Sequence, residues 1–84
     1  MKPTVRVELY GSLTRHTGGE GVVEVDAASI RDVYAALKVR FPALAASLDG
    51  GVSVSIDGRI YTESLFETVN AENEIIILPR IAGG

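Results

Sequence analysis

Only one stretch of this chain repeats its apolar residues at the spacing of an α-helix. Ile30, Val33, Tyr34, Leu37 and Phe41 fall at i, i+3, i+4, i+7 and i+11, a single stripe along one side of a helix. Ser29 stands just before it, where a hydroxyl can accept from an early backbone N–H, and Asp32 follows at the positive end of the helix dipole. Pro42 stops it, because a residue before proline avoids the helical region. One helix with one apolar stripe must bury that stripe against something else, and the rest of the chain offers strands.

From Thr4 to Tyr10, Val5, Val7 and Leu9 share one face and Arg6, Glu8 and Tyr10 the other, a period of two. A loop from Gly11 to Gly21 leads to a second strand, Val22 to Val25, paired with the first as a hairpin with a long connection. After the helix, Ala43 to Leu48 reads as a short further turn broken by Gly50-Gly51. Val52, Val54 and Ile56 alternate with Ser53 and Ser55, and Asp57-Gly58 is a two-residue hairpin turn into Arg59 to Tyr61. Leu65 and Phe66 are expected to plug the core from a connecting segment, and Asn70 to Asn73 to turn the chain. The last strand, Glu74 to Leu78, has four consecutive apolar residues, Ile75-Ile76-Ile77-Leu78, the mark of a central strand. Pro79 ends its ladder for want of an N–H. The expected fold class is α+β: a mixed sheet with one main helix packed on one face, in two layers.

With 84 residues, 46% of them hydrophobic and 23% charged, the chain is expected to form one folded domain over residues 1–78, followed by a flexible tail over 79–84. Its formal charge of −3 argues against nucleic acid and anionic membrane as partners and for partners with basic surface around a cleft. The opening MKPTVRVELYG lacks the apolar run of a signal peptide, and no segment approaches a membrane span. A cytoplasmic location is expected.

Residues suited to conventional catalysis are scarce. No cysteine is present, which removes disulfides, thiolate metal sites and thiol nucleophiles. His16 is the sole histidine and lies in a loop, without a partner for metal binding. Ser12, His16 and Asp26 make a triad only on paper, since so small a domain has little room for an oxyanion hole and a cleft. Gly18-Gly19 lacks the spacing and the lysine of a phosphate loop. No metal and no resident cofactor are expected.

The tail is the distinctive feature. Pro79 stiffens the exit from the sheet, and six residues reach roughly 20 Å when fully extended. Gly83 and Gly84 carry no Cβ, so their backbone can enter a narrow channel and present an unhindered carboxylate there. A carboxylate is a poor electrophile, but ATP can convert it to an acyl-adenylate. Sulfur can then displace AMP and leave a thiocarboxylate on a mobile arm. In that scheme the chain carries sulfur covalently and its partner enzymes supply the catalysis and use the ATP.

The strand VRVELYGSL, the loop RHTGG, the segment VSVSIDGRIY and the ending NEIIILPRIAGG together resemble the ubiquitin-like sulfur carriers, which include the small subunit of molybdopterin synthase (MoaD) and the thiamine-pathway carrier (ThiS). The resemblance spans essentially the whole chain and is most specific from Glu74 to Gly84. It implies the β-grasp, or ubiquitin-like, fold. It also implies adenylation of Gly84 by a ubiquitin-activating-like enzyme, thiocarboxylation, and delivery of sulfur to a synthase of the molybdopterin large-subunit type. The chain itself would not be an enzyme. Asp57-Gly58 stands where the family usually has Asn-Gly, and Glu72-Asn73-Glu74 where molybdopterin-type members often have Gly-Asp-Glu. Chain length and the segment from Pro42 to Gly51 resemble the molybdopterin and cysteine-pathway carriers more than the shorter thiamine type, and the small subunit of molybdopterin synthase ranks first, with sulfur carriers for cysteine or thiamine as the alternatives. A ubiquitin-like modifier conjugated through Gly84 shares the same features. Pro79, Arg80, Ile81, Ala82 and Gly83 form the expected partner-binding tail. If Ile75 and Ile77 face the helix, Ile76 and Leu78 belong to an apolar docking patch on the opposite face.

Overall fold

The computed structural model describes residues 1–62 and 65–79. Five strands, β1 (Thr4–Leu9), β2 (Val22–Asp26), β3 (Val52–Ile56), β4 (Arg59–Tyr61) and β5 (Ile75–Pro79), form one sheet in the order β2-β1-β5-β3-β4. The helices are α1 (Ile30–Arg40) and the short α2 (Ala45–Gly50), with 3-10 turns at Gly11–His16 and Pro42–Leu44. The last strand thus occupies the middle of the sheet. It runs parallel to β1, with Val7 opposite Ile75 and Leu9 opposite Ile77, and antiparallel to β3, with Val54 opposite Ile77 and Ile56 opposite Ile75. This mixed sheet with α1 packed on it is the ubiquitin-like β-grasp. The strand extends through Pro79, which lies opposite Val52, one residue beyond the end expected from the sequence.

Alternation decides what is buried. Val5, Val7, Leu9, Val23, Val25, Val52, Val54, Ile75 and Ile77 turn toward the helix layer and are buried. From α1 the stripe supplies Ile30, Val33 and Leu37, while Tyr34 and Phe41 pack at the margin, only partly buried. The expected loop after β1 begins instead with an ordered 3-10 turn that carries Leu13 into the core. Thr17 closes it, its buried hydroxyl lying 2.7 Å from the Glu20 carbonyl and 3.1 Å from that of Thr14.

The expectation that Leu65 and Phe66 plug the core is wrong: both are exposed, and Val69 is the residue that enters. The cause lies in the helix start. The first N–H groups of a helix lack intrahelical partners, and here Ile30 N–H donates to the Glu67 carbonyl at 3.0 Å and Arg31 N–H to the Leu65 carbonyl at 2.8 Å. Val69 N–H donates to the Ala28 carbonyl at 3.0 Å. Backbone pairing therefore places this segment beside α1, with residues 65 and 66 outward and Val69 inward.

Two local devices hold the frame. Asp57 and Gly58 both have positive φ, 53° and 87°, the two-residue hairpin geometry that tightly joins twisted strands. Both oxygens of Asp57 are also occupied: one accepts from Glu74 N–H at 2.8 Å and the other from Asn73 Nδ2 at 2.6 Å. The hairpin is thereby tied to the entry of β5. At the free edge of β2, the Arg40 guanidinium donates to the Glu24 carbonyl at 3.3 Å and stacks over the Phe41 ring at 5.3 Å. A covered carbonyl blunts an edge strand against pairing with another chain.

The α1 cap is reciprocal. Ser29 Oγ accepts from Asp32 N–H at 3.3 Å, and the Asp32 carboxylate accepts from Ala28 N–H at 3.0 Å. That N–H, with Lys2 Nζ 3.4 Å away, holds the Asp32 carboxyl below the ordinary carboxylate range despite the opposing effect of burial. A carboxyl depressed in the folded state contributes stability in full above its unfolded pKa, and that contribution is lost as pH falls through the folded value. Urea midpoints of the natural chain should therefore drop between about pH 5 and pH 2, and less steeply in Asp32→Asn. An identical slope in both proteins would show that the cap plays no part in acid sensitivity.

Candidate functional site

Among the described residues nothing covers the face of the sheet turned away from α1, and strand register maps it. One row crosses the sheet as Val22, Glu8, Ile76, Ser55 and Ile60. The next row, toward the end of β5, pairs Leu78 with Ser53. Tyr10 and Ile60 are 50% and 55% exposed, and Ile76 and Leu78 are partly buried. The face assignment of Ile76 and Leu78, opposite to Ile75 and Ile77, is the one expected from the sequence.

Near Pro79 this face dips into a shallow apolar hollow of about 640 Å³ lined by Tyr10, Ser53, Ile60, Thr62, Leu78 and Pro79. The concavity has a simple origin. β3 carries the small Ser53 and Ser55, while its neighbours carry Leu78 and Ile76 on one side and Ile60 on the other. Gly11 shapes the wall: its φ is +61°, a conformation L-residues rarely adopt, and it lies against the Pro79 ring, which a Cβ there would meet at 3.4 Å. Below the apolar zone the face turns acidic, with Glu8, Glu72 and Glu74 around Arg6. An apolar hollow with an acidic flank suits a partner that presents apolar side chains beside basic ones.

Of the expected tail, only Pro79 is described; Arg80, Ile81, Ala82, Gly83 and Gly84 lie outside the described residues. Pro79 is the last described residue of the central strand and part of the hollow's wall. Tyr10 and Ile60 were not singled out in the sequence. The signal for Tyr10 was present in the alternation, since it follows Arg6 and Glu8 on the solvent side of β1, whereas Ile60 sits in a strand of three residues that shows no such pattern. The paper triad is not assembled: Ser12 follows the end of β1, whereas Asp26 lies opposite Thr4 at its start. Among the described residues no group of three His, Cys, Asp or Glu side chains could hold a metal ion, and no helix is long and apolar enough to cross a membrane.

The ThiS family model matches residues 7–84. No curated protein matches the chain significantly. Among solved structures, SAMP1 from Haloferax volcanii is 26% identical, covering 96% of this chain and 99% of that one, with a TM-score of 0.77. CysO in the Amycolatopsis orientalis BexX/CysO complex is represented by a match of 26% identity, 95% and 99% coverage and TM-score 0.75. The small archaeal modifier protein 1 of Methanosarcina acetivorans superposes with a TM-score of 0.84 over 100% of this chain and 99% of that one, at 24% identity, a likeness of fold.

The two faces of β5 make opposite demands. Ile77 is fully buried, so Ile77→Asp should cost at least about 4 kcal/mol and unfold much of the population. Ile76→Asp should cost about 1 kcal/mol and keep a cooperative transition. Chemical denaturation of the two variants checks this, and similar losses in both would contradict the assignment of faces.

Proposed function

The chain belongs to the ThiS family, and on that footing we propose that Gly84 is its covalent site and that residues 79–84 are the arm delivering it to partner enzymes. Membership places the chain in the ubiquitin-like class of sulfur carriers and modifiers. The observation that carries the proposal further is the position of Pro79: the central strand ends at the rim of the apolar hollow. A partner seated on Tyr10, Ile60, Ile76 and Leu78 would therefore lie where the arm begins. The 1–78 domain acts as the grip and the arm as the reactive part.

In the proposed chemistry, the Gly84 carboxylate attacks the α-phosphorus of ATP in the active site of a ubiquitin-activating-like partner and pyrophosphate leaves. The acyl-adenylate is then attacked at its carbonyl carbon by a hydrosulfide equivalent. The C–S bond forms, the C–O bond to AMP breaks, and a thiocarboxylate remains. None of these steps needs a general base from this chain, consistent with its isolated His16. The arm's role is reach and slimness. The acceptor we propose is a synthase subunit of the molybdopterin type. Its support is the chain length together with the Pro42–Leu44 turn and α2 between α1 and β3, features shared with the cysteine-pathway carriers and unlike the shorter thiamine type.

A second reading, a modifier forming isopeptide bonds through Gly84, is favoured by the likeness to SAMP1 from Haloferax volcanii. Both lysines of the chain are engaged, Lys2 with Asp32 and Lys38 with Asp49, which disfavours self-conjugation while leaving other acceptors open.

Incubation with ATP, the adenylating partner and a sulfur source should raise the intact mass by one oxygen-to-sulfur exchange at the C-terminus. Deleting Gly84 withdraws the carboxylate by roughly 3.5 Å, far outside the tolerance of about 1 Å for near-attack geometry. Sulfur loading should then fall by at least about 100-fold with the melting temperature unchanged. Ile60→Asp should instead weaken association with the adenylating enzyme and leave the arm chemically competent at high enzyme concentration. A truncated chain that still gains sulfur would sink the carrier reading; Gly84 found only on lysine amines would establish the modifier.

A further inference from the structure

Phe66 is 81% exposed, with Leu65 beside it at 42%. Their backbone is nevertheless held, through the bonds that Leu65 and Glu67 carbonyls accept from the start of α1. An aromatic side chain on a fixed backbone loses little freedom when a partner buries it, which is the usual profile of an interface anchor. Alongside runs a groove of about 460 Å³ between α1 and α2, floored by Tyr34, Ala35, Leu48 and Leu65, with Arg31, Lys38 and Asp49 on its rim. Burial pushes the Tyr34 hydroxyl above its usual range, so the floor is neutral. The Asp49 carboxylate pairs with Lys38 yet remains 67% exposed, open to a second cation.

One surface therefore holds a projecting anchor, a concavity to receive it, and both signs of charge. Such a surface fits itself about a twofold axis. We propose that the chain self-associates through its helix layer, Phe66 of each copy entering the groove of the other and Arg31 meeting Asp49 across the axis. A second copy is the occupant this patch selects, because both halves of the match are already present on it. A minimal specific interface takes about 600 Å² from each partner, roughly an eighth of this chain's 5055 Å². The dimer should accordingly be weak, with a Kd on the order of 100 μM. Among the described residues the groove shares no lining residue with the hollow at Pro79, so each copy in the dimer keeps that hollow for partners. This goes beyond the proposed chemistry of Gly84 and stands independently of it.

Sedimentation velocity from about 10 μM to 1 mM tests the proposal on the full chain. The natural protein should pass from monomer to dimer across that range. Phe66→Asp should stay monomeric with an unchanged melting temperature. Arg31→Glu should weaken the dimer about tenfold, and Arg31→Glu combined with Asp49→Arg should recover much of the loss. Ile60→Asp, on the opposite layer, should dimerise normally. A natural chain still monomeric at 1 mM would overturn the inference, as would a dimer that survives Phe66→Asp or disappears in Ile60→Asp.

Discussion

The pairing of β5 between β1 and β3 is the interaction on which the rest of the molecule depends. Ile75 and Ile77 meet Val7 and Leu9 on one side and Ile56 and Val54 on the other, and all six are buried against the helix layer. Without β5 the sheet is two separate hairpin-like ribbons, and neither buries enough apolar area to be stable by itself. The strand also joins the ends of the chain, since its pairing with β1 links residue 7 to residue 75. The entropy lost in closing so long a loop grows only slowly with length, so burial of the isoleucines can offset it.

The same strand sets the direction of function. Its inward face stabilises the fold and its outward face, with Ile76 and Leu78, contributes to the uncovered apolar surface. Its C-terminal end delivers Pro79 to the edge of the hollow. Structural strand, proposed docking strand and base of the proposed arm are therefore one element. A shift of register by a single residue would exchange the two faces. The tie from Asp57 to Asn73 and Glu74 opposes such a shift at the strand's start, and the close approach of Gly11 to Pro79 marks its end.

The solvent-facing layers differ in character. The sheet face combines a shallow apolar hollow with an acidic flank, a surface matched to a basic-rimmed partner. The helix layer carries Phe66 above a groove with charges of both signs, a surface matched to itself. Arg40, over the free edge of β2, limits association by strand pairing at that edge. A domain of this size can keep separate contacts apart because each belongs to a different layer.

Much of this was legible in the residues alone. The α1 stripe, the Ser29 cap, the Asp57-Gly58 turn and the alternation of β1 and β3 depend on neighbours a few positions away, and local geometry decides them. The run from Glu74 to Gly84 likewise identified a central strand and the candidate arm, because four consecutive apolar residues followed by proline permit few other structures. Tertiary structure alone decided which of Leu13, Leu65, Phe66 and Val69 enters the core. Hydrophobicity ranks all four as candidates, but among Leu65, Phe66 and Val69 the bonds that the N–H groups of Ile30, Arg31 and Val69 donate to distant carbonyls fix which side chain turns inward. It alone also assembled Tyr10, Ile60, Leu78 and Pro79 into one hollow. Those residues come from three places in the chain, and long-range strand order, which no local pattern encodes, brings them together.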